Sequence, residues 1–393
     1  MSTPIETLVA RARALLQSSQ SEKALEILTP DFETYNADVN YLQIFGETLL
    51  ENNDLENAYE VLVKACELDP TAENGVEKFF YLGQIIGGHD GIDSLNVGLQ
   101  KLQNQLEIIN SNTTDKLLIE LSTLYKTKES LISYLIKKLN QGIFAKIEIW
   151  MTDLCMEDEA ETQCNELINY SLQLDNQNPE ALSLLSSIRI SQQRNEEAKQ
   201  ALLKSWELFQ IKKSQLEEAA NKHQQEDIDS FEVGLEYVDL IQPLLTLAKF
   251  AIELELYDIT ITIVSNVQDI NENILDTYYY EALANLFSAK QLLNSQTPHE
   301  EDYREIDTEL LVKSTIPEIQ SLLKDIKSSL TQGYKIINSD NLVADLDPGL
   351  IEQVELLLKQ VGGPVMSELL PTRANEDEEG WEDEIESEEE NIH

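Results

Sequence analysis

The side chains in this sequence that could carry covalent or metal chemistry are few and scattered. Four histidines, His89, His223, His299 and His393, stand apart from one another and from any metal-type partner at helical spacing. There is no Gly-x-x-x-x-Gly-Lys phosphate loop, no nucleophile elbow and no Cys-x-x-Cys pair. Cys66, Cys155 and Cys164 read as small buried hydrophobes in a reducing compartment. No catalytic residue, metal or cofactor is expected, and the chain reads as a non-enzyme. Carboxylate is what it has in excess: 73 Asp and Glu against 28 Lys and Arg, a net charge of −45. Carboxylates in that abundance carry no catalytic signal, but they repel nucleic acid and anionic membranes and attract basic partners.

Elements that could position those carboxylates are legible between Leu42 and Pro70. Leu42, Phe45, Gly46 and Leu49 share one helical face, Ala58, Leu62 and Ala65 share a second, and Pro70 ends the unit. Small residues at Gly46 and Ala58 let two helices approach closely. This order is the tetratricopeptide (TPR) pattern of about 34 residues. A degenerate first unit precedes it, with Ala12, Leu15, Ala24 and Leu28 one repeat length earlier. A third follows at Phe79, Leu82 and Gly83, with Gly87, Gly88 and Gly91 read as its inter-helix turn.

The register blurs from about 103 to 147, where Lys116–Asn140 and Ile143–Met156 keep helical periodicity without the small-residue code. It returns around Pro179 and Ala198, and a long polar helix is expected over 211–225. Further units begin at Leu244 and Tyr278. The expected fold is all-α, a TPR-type right-handed helical solenoid over 1–293. Helices closing it occupy 294–363, and a disordered acidic tail fills 364–393. The apolar runs are too short to span a bilayer, and the stretch MSTPIETLVARARALL, lacking a basic and then apolar pattern, is not expected to act as a secretory signal.

In TPR units, set positions of the first helix face the concave side. They select Gln43, Glu47 and Glu51 in the second unit, and Glu77 and Phe80 in the third with Tyr81 beside them. Asp153, Glu159, Glu180, Glu253 and Tyr279 are the candidates further along. Carboxylates interleaved with aromatic rings suit a basic peptide, through charge-assisted hydrogen bonds and cation–π contact. Gln43 and Glu47 stand where clamps for a C-terminal carboxylate place cationic and amide side chains, so an anionic peptide end is disfavoured. In the tail, Glu376, Asp377, Glu378, Glu379, Trp381, Glu382 and Asp383 form a second acidic surface. Ser387, followed by three glutamates, has the form of an acidophilic kinase site.

The acidic TPR body, the late repeat LAKFAIELELYDITITIVSNVQ and the Trp-bearing acidic end together resemble one fungal family. It comprises dedicated assembly chaperones of the large-subunit ribosomal protein L-four. The resemblance covers the repeats from about Ile5 to Leu293 and the tail from Glu376. It implies a groove that holds a long basic internal loop of the newly made ribosomal protein. It further implies escort from cytoplasm to nucleus, with any import factor joining through the client, and release on the pre-60S particle. A histone chaperone and a scaffold subunit of a larger complex are the other classes open to an acidic TPR chain.

Overall fold

A computed structural model describes residues 4–18, 20–110, 116–125, 127–222, 229–297, 302–339 and 346–369. Among these residues every regular element is helical and no strand occurs. No helix among them is long and apolar enough to cross a membrane. The chain divides into two compact units, Met1–Asp239 and Leu240–His393.

The first unit opens with α1 (Pro4–Gln17), α2 (Ser21–Leu28) and the single turn α3 (Phe32–Tyr35). The repeat read from sequence then forms α4 (Val39–Glu51) and α5 (Leu55–Leu68). Asp38 caps α4 by accepting from the Tyr41 N–H at 2.9 Å, and Asp54 caps α5 through the Asn57 N–H at 3.3 Å. Between them Asn53 takes a left-handed conformation (φ 58°), and the Asp54 N–H returns to the Leu49 carbonyl. The same turn recurs at Gln193 (φ 58°) and Glu255 (φ 61°), with Arg194 bonded back to Arg189 and Leu256 to Ala251. Repeat geometry thus holds at positions where the residue itself disfavours it.

Helix approach depends on missing side chains. A Cβ on Gly46 would lie 2.6 Å from the fully buried Leu62, so this glycine sets the α4–α5 distance. In the next pair, α6 (Glu77–Ile86) and α7 (Gly88–Asn110), Gly83 and Gly91 bring the two backbones together. Only Gly87 (φ 65°) serves as the linker, because His89, Asp90 and Gly91 already belong to α7. A Cβ on Gly91 would sit 2.4 Å from the Gly83 carbonyl oxygen, a backbone atom that cannot rotate away. Gly91→Ala is therefore expected to cost about 1–3 kcal/mol in chemical denaturation. Wild-type stability would show that the pair can separate freely.

The irregular region contains α8 (Lys116–Leu124) and an unbroken α9 (Lys128–Met151), so the two helical segments read as Lys116–Asn140 and Ile143–Met156 divide before Lys128 and not near Asn140. Asn140 is buried and accepts from Ser171 Oγ at 2.8 Å, which lets a polar residue continue the helix interior. After α9 come α10 (Ala160–Leu174), α11 (Pro179–Ser191), α12 (Asn195–Lys222) and α13 (Asp229–Val238). The polar segment expected from 211 is the continuation of α12 rather than a separate element. Of the cysteines, Cys164 is buried and Cys66 half-buried, but Cys155 is exposed in the turn after α9.

The second unit holds α14 (Ile241–Glu253), α15 (Tyr257–Ile270), α16 (Leu275–Gln296), α17 (Thr308–Val312), α18 (Pro317–Ile337), α19 (Pro348–Gln360) and α20 (Met366–Leu369). Asp347 caps α19 through the Gly349 N–H, with Pro348 at its first position. The core here joins α16, α18 and α19 through Leu275, Ala282, Leu330 and Val354. A boundary at 293 therefore falls inside one hydrophobic core. Residues 364–369 likewise belong to the packed unit: the Val365 N–H donates to Thr331 Oγ1, and Glu368 accepts from Ser328 and Gln332. The acidic run and Ser387 lie outside the described residues.

Candidate functional site

One cleft in the first unit, of about 680 Å³, gathers much of the chemistry selected above. Asn40, Gln43, Glu47 and Glu51 recur every three or four residues and so form a single stripe on α4. Glu77 and Tyr81, one turn apart, bring α6 to the same space. Leu102 and Gln105 of α7, Leu121 and Tyr125 at α8, and Tyr134 and Lys138 of α9 supply the opposite side, and α1 adds Arg13.

The loop before α6 is held in place by a buried ion pair. Asp69 accepts from the Glu73 and Asn74 N–H groups at 2.8 Å each and pairs with Lys78 at 2.8 Å. Lys78 also donates to the Gly75 carbonyl. This clamp delivers Asn74, Gly75 and Val76 to the cleft rim.

The carboxylates in the cleft are not equivalent. Glu77 pairs with Lys138 at 3.1 Å and accepts from the Val76 N–H at 3.1 Å and from Gln43 Nε2 at 3.4 Å. Burial alone would push its carboxyl up, but Lys138, its own backbone N–H and Arg13 outweigh burial and hold it below the usual range. For Glu47 burial wins. A hydrogen bond from Tyr81 and the charges of Arg13 and Lys138 offset it only in part, Glu77 adds repulsion, and the carboxyl is raised. Burial and then Glu47 and Glu77 push the Tyr81 hydroxyl up, so it stays a donor. Tyr134 is raised to about 12 by burial and by Glu77, and its ring stacks on Tyr125 at 4.6 Å. The charge of Glu77 is thus balanced by Lys138 within the protein, whereas that of Glu47 is offset only in part.

Of the residues selected by sequence, Gln43, Glu47, Glu51, Glu77 and Tyr81 meet here. Phe80 does not. Its ring is buried in a notch made by Gly98 and Gly142, each of whose absent Cβ positions lies 2.6 Å from it. Insertion of α9 beside α6 and α7 turns that position from groove to core. Asp153 caps α7 instead, accepting from the Gly88 N–H at 2.9 Å. Glu159 is exposed just before α10, and Glu180, in the first turn of α11, lies 4.0 Å from Lys212. Neither lines the cleft. Glu253 and Tyr279 belong to the second unit. There Tyr279 shares a smaller cleft of about 360 Å³ with Lys249, Asp276 and Tyr280, while Glu253 uses its carbonyl to accept from Arg304.

Sequence reasoning missed Arg13, Lys138, Gln105 and Tyr134. Arg13 carried a usable signal, since it stands one repeat length before Glu47. The other three come from the region where the repeat code lapses. Among the described residues no three His, Cys, Asp or Glu side chains come together as a metal site.

Residues 39–71 match the tetratricopeptide repeat family, and residues 273–384 match the family described as the ACL4 C-terminal domain. A protein of Schizosaccharomyces pombe named "Probable assembly chaperone of rpl4" is 28% identical over 307 residues, 77% of this chain and 80% of its own length. An Emericella nidulans protein of the same name is 31% identical over 214 residues, 51% of this chain and 49% of its own length. Among solved structures, "Assembly Chaperone of RpL4 (Acl4) (Residues 1-338)" superposes with a TM-score of 0.54 at 22% identity, covering 74% of this chain and 99% of that one. At that identity the likeness speaks for the fold. The chain thus has an all-α TPR fold, matches the ACL4 C-terminal domain over residues 273–384, and is similar to the fungal proteins named probable assembly chaperones of rpl4.

Proposed function

We propose that this chain is a dedicated assembly chaperone for ribosomal protein L4, which it holds by a basic segment in the cleft of its first unit. The names of its fungal relatives support the client. One observation carries the site: Gln43, Glu47, Glu51 and Glu77 converge on a single cleft, in which Glu47 lacks full charge compensation. The chain acts by binding, not by catalysis. Long-range attraction between an acidic body and a basic client accelerates capture, and rRNA, a denser polyanion, displaces the chaperone on the assembling large subunit. Escort of the client places the pair in both cytoplasm and nucleus.

Purification of the tagged chain from cells tests the reading, with bound proteins identified by mass spectrometry. A single stoichiometric ribosomal protein L4 is the expected result. Stoichiometric histones would indicate a histone chaperone, and a multisubunit assembly without basic proteins would indicate a scaffold; either sinks the proposal.

Binding should also depend on pH with a definite sign. A cationic client needs Glu47 ionised, and its carboxyl sits above the ordinary range, so protonation removes this contact before ordinary carboxylates titrate. Affinity is expected to fall on acidification, starting at a higher pH than the titration of ordinary carboxylates. The fall should be shallower in Glu47→Gln. Identical profiles for the two proteins would remove Glu47 from the contact.

A further inference from the structure

Two amides in the cleft wall have hydrogen-bonding capacity that the protein leaves unused. Gln105 is 1% exposed, yet neither its Nε2 donor nor its Oε1 acceptor meets a protein partner. Gln43, 6% exposed, gives its Nε2 to Glu77, but its Oε1 is likewise buried and unpartnered. Buried polar atoms are paired in all but a few instances, so two such residues in one cleft are a feature to be explained by what enters it. A carboxamide presents an NH2 donor group and a carbonyl acceptor, the complement of the C=O and N–H of a peptide main chain. An extended segment has those groups free, whereas a helix consumes its own. Glu47, hydrogen-bonded by Tyr81 in the same cleft, adds a carboxylate suited to one cationic side chain.

We propose that the cleft reads an extended basic segment by its main chain as well as by its charge. The Gln105 and Gln43 carboxamides hydrogen-bond the peptide backbone, and Glu47 takes a Lys or Arg side chain. The inference rests on the reading that the client's basic segment enters this cleft. Both amides lie below the cleft surface, so lining side chains shift as the segment enters. The site therefore selects a client segment without regular structure, and main-chain contact makes it tolerant of sequence between the cationic residues.

The test is a titration of the full chain with recombinant ribosomal protein L4 over a series of salt concentrations, for wild type, Gln105→Met and Glu47→Gln. Gln105→Met keeps the side-chain length and removes both hydrogen-bonding atoms. It is expected to weaken binding about 3–10-fold with the salt dependence unchanged, since no charge is altered. The free variant should melt about 2–4 °C higher, because an unpaired buried amide has been replaced by an apolar group. Glu47→Gln should weaken binding and flatten the salt dependence. Wild-type affinity in Gln105→Met, with Glu47→Gln still weakened, overturns the main-chain contact and leaves the acidic cleft as the client site. Wild-type affinity in both variants overturns the client site itself. Should Gln105→Met fold poorly, Gln43→Met carries the same expectation for affinity, and wild-type binding by it overturns the proposal.

Discussion

Replacing Asp69 by Ala is expected to destabilise the first unit by about 3–5 kcal/mol, the largest effect of any single substitution considered. Lys78 is fully buried and Asp69 is 4% exposed, so the substitution strands an ammonium group in the interior. It also removes the acceptor of the Glu73 and Asn74 N–H groups. Asp69→Asn keeps one acceptor while losing the charge and should fall between Ala and wild type. Urea denaturation checks the series, and an Ala variant within about 1 kcal/mol of wild type would refute the clamp.

The same pair makes a pH prediction. Burial pushes the Asp69 carboxyl up, but Lys78 and the two backbone N–H groups prevail and its pKa is lowered on folding. A lowered carboxyl stabilises the fold fully above its unfolded value of about 3.9, and the stabilisation is lost as pH falls through the folded value. Acid unfolding of Asp69→Asn should lack that component. Since the clamp carries Asn74, Gly75 and Val76 to the cleft, partial loosening should weaken client binding before the unit unfolds.

Reversing the charge at two cleft positions, Glu47→Lys with Glu51→Lys, is expected to weaken binding of ribosomal protein L4 by about 2–3 kcal/mol, or 30- to 150-fold. The cleft already contains Arg13 and Lys138, with Lys138 committed to Glu77. Two further lysines would make it net positive at the place proposed for the basic segment. Most of the loss should appear in the off-rate if Glu47 is desolvated on binding, and the on-rate should fall less because the rest of the body stays acidic. Glu51 is exposed and Glu47 half-buried, so the fold should survive, which circular dichroism can verify. Unchanged affinity in a folded variant would move the client site out of this cleft.

The helices of the second repeat were legible because close packing restricts residue type. Gly46 answers Leu62, Ala58 is fully buried, and Asp38 and Asp54 cap the helices they precede. Half of the cleft was legible for a related reason: α-helical spacing puts Gln43, Glu47 and Glu51 on one stripe whatever lies opposite. What lies opposite was not legible. Lys138, Gln105 and Tyr134 come from the end of α7 and from α9, where the repeat code lapses, and their arrival depends on contacts distant along the chain.

Composition and local pattern therefore established an acidic, all-helical repeat protein and pointed to a basic partner, since charge is additive and helical periodicity is local. Tertiary packing decided which acids remain available. It paired Glu77 with Lys138, drew Phe80 into a glycine notch, turned Asp153 into a helix cap and left Glu47 under-compensated. Neutralisation and burial belong to neighbours in space, and those neighbours exist only once the helices have packed.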